Sequence, residues 1–405
     1  MKEDIKFSIF RNVPEASEDP IMLYMNKFKL SQNENKLNLT IGMIKEEDGI
    51  SLKQLSCVKK AELEILNQNL NKEYTPMAGT SDFLTSIRNL IFPEEKFPSS
   101  NSNILVIQTI TGGGSLRSGA ELVRKLISKK IYTSNLTFSP YKLIFKDLEV
   151  YSYPYYNIEN RSLDISALLS FINQLDENSV VNFQVSSHNP TGLDPSKEEW
   201  EAISEVCFKK NVLVFFDIAY LGYGNGSIED DLFPVHLFQR KNIEMIISYS
   251  SGKSFMNYSD DIGALLLSTR DKNALERIKA HLFVINRGLF SFSSIYGSRI
   301  ISKILTNEEL KREWMNELQE TWNTLRAKRE AIMNALFREN VQIVDFLKKQ
   351  KGIYMYFDLN NSQIDYLVDK YAIFVVPGGR VSISSLPTNK IDYFAKAIKD
   401  TLTHS

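Results

Sequence analysis

The sequence predicts an α/β protein, with a large domain built on a mostly parallel sheet flanked by helices and a smaller α+β domain. Three observations predict it. Short apolar runs alternate with amphipathic stretches from about residue 50 to residue 300, the pattern of strands covered by helices on both faces. A long helical pattern with charges along one side then occupies residues 307–340. Beyond it come short strand candidates and a terminal helix.

Taken in order, ILVIQTI (104–110), VVNFQV (180–185), VLVFFDIAY (212–220), EMIISYS (244–250) and GALLLST (263–269) read as strands buried on both faces. LRSGAELVRKLISK (116–129) and KEEWEAISEVCFKK (197–210) read as the helices between them. NEELKREWMNELQETWNTLRAKREAIMNALFREN (307–340) reads as a spine helix leading into the second domain. The C-terminal elements are GIYMYFDL (352–359), AIFVVPGGRVSIS (372–384) and the helix NKIDYFAKAIKDTL (389–402). In such sheets, ligands gather at the loops after the carboxyl ends of the strands.

Composition narrows the function classes. The 405 residues suggest two to three domains. With 48 Lys+Arg against 49 Asp+Glu, the net charge of −1 argues against dominant binding to nucleic acid or a membrane surface. Hydrophobic residues at 43% and charged residues at 24% exclude a disordered chain. No stretch approaches the roughly 20 apolar residues that span a bilayer. The N-terminal MKEDIKFSIF lacks a signal-peptide pattern, so a cytoplasmic protein is expected. Cys57 and Cys207 make no disulfide framework, and with His188, His236, His281 and His404 scattered, no metal site is expected.

One motif misleads. Ser-Ser-Gly-Lys-Ser (250–254) contains the GKS that ends a phosphate-cradling P-loop, and VLVFFD ends on an acid. The full pattern needs a glycine where Ile247 stands, and the acid-bearing strand precedes the supposed P-loop instead of following it.

HNPTG (188–192), FFDIAY (215–220), SYSSGK (248–253) and TGGGSLR (111–117), in this order and spacing, explain the same lysine better. Together they resemble the aspartate aminotransferase family, class I, fold-type-I pyridoxal-phosphate enzymes. The resemblance runs from PEASEDPIMLY (14–24) through LNLTIG (37–42) and KEYTPMAGTSDF (72–83) to GGRVSIS (378–384). It implies a seven-stranded sheet in the large domain and a small domain assembled from both chain ends. The expected division is an arm on the partner subunit (1–14), small domain (15–50 and 321–405) and large cofactor domain (51–320).

The resemblance also implies roles. Lys253 holds pyridoxal 5'-phosphate as a Schiff base and carries a proton. Asp217 pairs with the cofactor's ring nitrogen, and Asn189 and Tyr220 bond its phenolic oxygen. Backbone amides of Thr111, Gly112 and Gly113 and the Ser250 hydroxyl receive the phosphate, with Tyr74 reaching it from the neighbouring subunit. Phe138 stacks on the ring in the place of a tryptophan. Arg380 grips the substrate α-carboxylate, Arg287 crosses from the partner to the distal carboxylate, and Gly42 lies in the mobile segment that closes over the substrate. The implied protein is a homodimer with shared active sites. It converts L-aspartate and 2-oxoglutarate to oxaloacetate and L-glutamate with ping-pong kinetics; a broader or aromatic specificity, or a degenerate cofactor-binding homologue, are the alternatives.

Two further departures accompany Phe138. Gln184 replaces a histidine five residues before Asn189. Asp261 stands eight residues after Lys253, where the family has an arginine that binds the phosphate, and an acid there repels phosphate. Arg270 and Lys142 are the candidate replacement cations.

Overall fold

The computed structural model describes residue 8 and residues 10–15, 20–98 and 103–404. Residues 1–7 and 9 of the expected N-terminal arm lie outside the described residues. A seven-stranded sheet forms the centre: β1 (Ile104–Ile110), β2 (Lys130–Ser134), β3 (Glu149–Tyr153), β4 (Val180–Gln184), β5 (Leu213–Ile218), β6 (Met245–Ser250) and β7 (Ile262–Ser268). Their spatial order is β1-β7-β6-β5-β4-β2-β3. All neighbours are parallel except β7, which runs antiparallel to both β1 and β6.

That single reversal matters for the site. It brings the start of β7 to the edge where β1, β4, β5 and β6 end. In the register, Ile262 pairs with Ile110, Gly263 with Ser250, Asp217 with Ser248 and Gln184 with Asp217. The loops that leave this edge carry most of the chemistry-bearing residues.

Apolar runs form these strands because both faces are covered. Ile107, Val180, Phe215, Ile246 and Leu265 join one buried cluster, with Leu116, Ala120 and Val123 of α1 (Thr111–Leu126). The intervening Val106, Val181, Phe216, Ile247 and Leu266 join the other. Gly119 lets α1 cross the sheet closely, since a Cβ there would lie 2.5 Å from the Phe215 ring. On the other face α2 (Lys197–Lys209) begins at a capping box of Ser196 and Glu199, and buries Trp200 and Ile203. Helix α3 (Ala274–Leu289) turns Leu282 and Ile285 toward α1.

Helix α4 (Glu308–Arg338), capped by Asn307, runs across position 320 and carries the chain between the two bodies. In the smaller α+β domain Tyr354–Leu359 pairs antiparallel with Gly378–Ser382. Leu37–Asn38 pairs parallel with Ile373–Phe374, so both chain ends build one unit. Helix α5 (Ile391–Thr403) buries Phe394 and Ile398 against it.

Candidate active site

Asp217 is the penultimate residue of β5, 8% exposed, with β4 and β6 on either side. Burial pushes its carboxyl up to about 6, opposed by a hydrogen bond from the Tyr141 hydroxyl and by the Lys253 charge. That bond is 2.6 Å long. The sequence reading missed Tyr141, whose one signal is its position three residues after Phe138. Phe138 packs edge-on against the Tyr141 ring at 5.5 Å, which sets it beside the acid.

Asn189 sits in a loop fixed from several directions. Gln184 accepts from its backbone N–H at 2.8 Å and donates to its carbonyl at 2.9 Å. Asp194 accepts from the N–H groups of Ser187 and His188, and the Asn189–Pro190 peptide is cis. So restrained, the Asn189 amide donates to the Tyr220 hydroxyl at 3.0 Å, and its oxygen accepts from Arg380 at 3.0 Å.

Arg380 is 5% exposed. Its second terminal nitrogen donates to the Thr40 carbonyl at 2.6 Å, and its guanidinium lies 4.2 Å from the Tyr354 ring centre. Its Nε has no partner among the described residues. A buried guanidinium with an unused N–H suits a carboxylate supplied from outside. Gly42 belongs to the same wall: a Cβ there would sit 1.7 Å from the Tyr354 hydroxyl. The segment around it bridges both domains, with the Ile44 N–H donating to Tyr258 and the Ser384 hydroxyl to the Met43 carbonyl.

Lys253 follows β6, half-buried, with Nζ 4.9 Å from the Tyr220 ring centre. Its loop is rigid. Tyr223 donates to the Lys253 carbonyl, Trp314 donates to the Ser254 carbonyl, and Phe255 stacks on Trp314 at 4.5 Å. Residues 252–255 form a turn and not the helix start that a P-loop requires. Lys253, Asp217, Tyr220, Asn189 and Arg380 therefore converge on one place.

Beside Lys253, Gly112 and Ser250 face each other so closely that a Cβ on Gly112 would lie 2.6 Å from that of Ser250. Thr111 takes a φ of +52°, uncommon for a β-branched residue, as the chain turns into α1. Gly113 is exposed on the first turn. Asp261, just before β7, points into this cup and not away from it. Arg270 does not replace the missing cation: it donates to Asn211 and pairs with Glu244, at the opposite edge of the sheet. Lys142 is exposed on the short helix Tyr141–Ile144.

Tyr74 and Arg287 stand apart from this cluster but with each other. Tyr74, 83% exposed, stacks on Phe292 at 4.7 Å, and the Arg287 guanidinium lies 5.0 Å from the same ring. A hydrogen bond from Thr75 to the Ser293 carbonyl pins the two segments together.

The ring end of the site fits a pyridine cofactor, having a buried acid, a lysine and a hydroxyl–amide pair. The phosphate end has the right backbone but an acid inside it. Comparison with known proteins agrees with the fit. The family model for aminotransferase class I and II matches residues 34–398. The mitochondrial aspartate aminotransferase of Schizosaccharomyces pombe is 32% identical, over 97% of this chain and 90% of its own length. The cytoplasmic aspartate aminotransferase of Caenorhabditis elegans is 30% identical, over 98% of each. An aromatic-amino-acid aminotransferase from Burkholderia pseudomallei, covalently bound to pyridoxal phosphate, superimposes with a TM-score of 0.93 at 29% identity, over 98% of this chain and 100% of that one. The chain belongs to the class I and II aminotransferases and is a pyridoxal-phosphate-dependent enzyme of that family.

Proposed function

We propose that the protein transfers the amino group between L-aspartate and 2-oxoglutarate, giving oxaloacetate and L-glutamate in two half-reactions with ping-pong kinetics. The observation that carries this reading is Arg380, buried, locked to Asn189 and Thr40, with its Nε left without a partner among the described residues. When bound, pyridoxal phosphate supplies the electron sink for charge developing at the substrate α-carbon and the carbon that takes the amino group.

The chain's own residues do the rest. Arg380 orients the substrate α-carboxylate, and the Tyr354 ring beneath it excludes water. Lys253 Nζ would attach the cofactor, and the same amine is placed to take the proton from the substrate α-carbon. Asp217, held in place by Tyr141, would face the ring nitrogen, and Asn189 and Tyr220 would bond the phenolic oxygen. Phe138 would cover the ring, Gly42 gives the closing segment room, and Thr111, Gly112, Gly113 and Ser250 would form the phosphate cup.

Tyr74 and Arg287 complete a neighbouring site in a homodimer. Their shared exposed patch with Phe292 supports this, since an 83% exposed tyrosine stacked on another ring is poorly covered in one chain. Arg287 then receives the distal carboxylate. Cys57 and Cys207, both buried and free, support a reducing compartment such as the cytoplasm. Among the described residues, no helix is long and apolar enough to cross a membrane.

Broader specificity is the second reading, favoured by the placement of Arg287 over an aromatic ring. Turnover of aspartate and phenylalanine with 2-oxoglutarate separates the two. The proposal expects higher kcat/KM for aspartate, lost selectively in Arg287→Ala. Equal or better use of phenylalanine, insensitive to Arg287, would establish the broader enzyme.

A further inference from the structure

The Asp261 carboxylate takes two donors of the phosphate cup, the Gly112 N–H and the Ser250 hydroxyl, and two more from the residues just before Lys253. It accepts from the Gly252 N–H at 2.6 Å, from the Ser250 hydroxyl at 3.2 Å to each oxygen, from the Ser251 hydroxyl at 3.3 Å and from the Gly112 N–H at 3.4 Å. Two amides and two hydroxyls, drawn from the start of α1, the end of β6 and the loop after it, thus converge on one anion. Such a set of amides and hydroxyls is what an oxyanion requires. The loop does not need Asp261 to close, because the Ser251 N–H already donates to the Ile262 carbonyl, and the Ile262 N–H to Ser251 Oγ, each at 3.1 Å.

The antiparallel direction of β7 puts the carboxylate there. Asp261 immediately precedes Ile262, which pairs with Ile110 at the mouth of the cup. The other cations considered for the cup do not enter it: Arg270 is paired at the far edge of the sheet and Lys142 is exposed.

We propose that Asp261 is the resident anion of this cup, taking the Gly112 and Ser250 donors and repelling the phosphate's charge, so that the cofactor is held by Lys253 and the ring contacts and exchanges readily. This rests on the reading of Lys253 as the attachment point. The aminated cofactor, which has no bond to Lys253, is then the form most easily lost.

Binding of two ligands that differ only in the phosphate tests it. Full-length wild type, Asp261→Asn and Asp261→Ser, freed of cofactor, are titrated with pyridoxal phosphate and with pyridoxal, and Kd is read from the Lys253-dependent absorbance band. The wild type should bind the two within about threefold of each other, whereas Asp261→Asn should favour pyridoxal phosphate by about tenfold or more. Pyridoxal affinity should stay constant, which shows that the lysine loop is intact; Asp261→Ser repeats the measurement with a smaller side chain. A wild type that already prefers pyridoxal phosphate more than about tenfold, with a ratio unchanged in both variants, overturns the proposal. A band absent from the wild type but formed with pyridoxal phosphate in Asp261→Asn supports it. Absence of the band from every protein overturns both this proposal and the assignment of Lys253.

Discussion

The two ends of the candidate site were built by the same sheet edge but differ in what they leave open. At the ring end, Tyr220, Asn189 and Arg380 are linked by hydrogen bonds into a frame, Tyr141 holds Asp217 beside it, and Arg380 Nε has no partner among the described residues. At the phosphate end, backbone and hydroxyl donors are present, but Asp261 already occupies the Gly112 N–H and the Ser250 hydroxyl. A motif therefore specifies the shape of a subsite more firmly than its charge. Glycines at 112 and 252 secure the close approach, and one residue outside the motif reverses the sign.

Lys253→Ala should lower kcat/KM for aspartate by at least about 10⁴-fold, because attachment and proton transfer both depend on that amine. Unchanged circular dichroism would show that the loss is chemical. Arg380→Ala should cost about 2–5 kcal/mol in kcat/KM, since Asn189 and Thr40 lose a buried charged donor as well as the substrate losing its fork. Arg380→Lys should recover part of this, and full recovery would show that a point charge suffices.

Asp217 provides a pH test. Burial raises its carboxyl from 3.8 to about 6, so the folded cofactor-free protein binds a proton there that the unfolded chain has released. Its contribution is thus least unfavourable below pH 4 and costs about 3 kcal/mol at most above pH 6. Thermal midpoints of wild type and Asp217→Asn, followed from pH 4 to pH 7, should diverge in favour of the variant as pH rises. Parallel curves would remove Asp217 as the buried acid. Tyr141→Phe should have a smaller effect: losing the hydrogen bond raises Asp217 further, and the acid limb of cofactor binding moves to higher pH. The smallest effect is expected from Gly42→Ala, a few-fold increase in KM for aspartate as Tyr354 is pushed from under Arg380.

Ile104–Ile110, Val180–Gln184, Leu213–Ile218, Met245–Ser250 and Ile262–Ser268 were legible because they are mostly buried and read as largely apolar runs. Lys130–Ser134 and Glu149–Tyr153 were not: the first, KIYTS, is mostly polar, and in the second, an edge strand, only Tyr153 is buried. The direction of Ile262–Ser268 has no signature in GALLLST, and that direction brings Asp261 into the cup. The acid itself was legible as a charge in the wrong place, but its inward orientation was not. Arg270 looked near in sequence, yet β7 separates it from the cup by its full length. Tyr141 had only its spacing from Phe138 as a signal, because a tyrosine before an apolar turn reads as core until a carboxylate is found against it.

The most direct test of the central claim is an absorbance spectrum of the wild type with pyridoxal phosphate, followed by addition of L-aspartate without an oxo acid. A Lys253-dependent cofactor band should form, then shift as the amino group is transferred, and return on addition of 2-oxoglutarate. A band identical in Lys253→Ala, or one that aspartate leaves unchanged, would contradict the account.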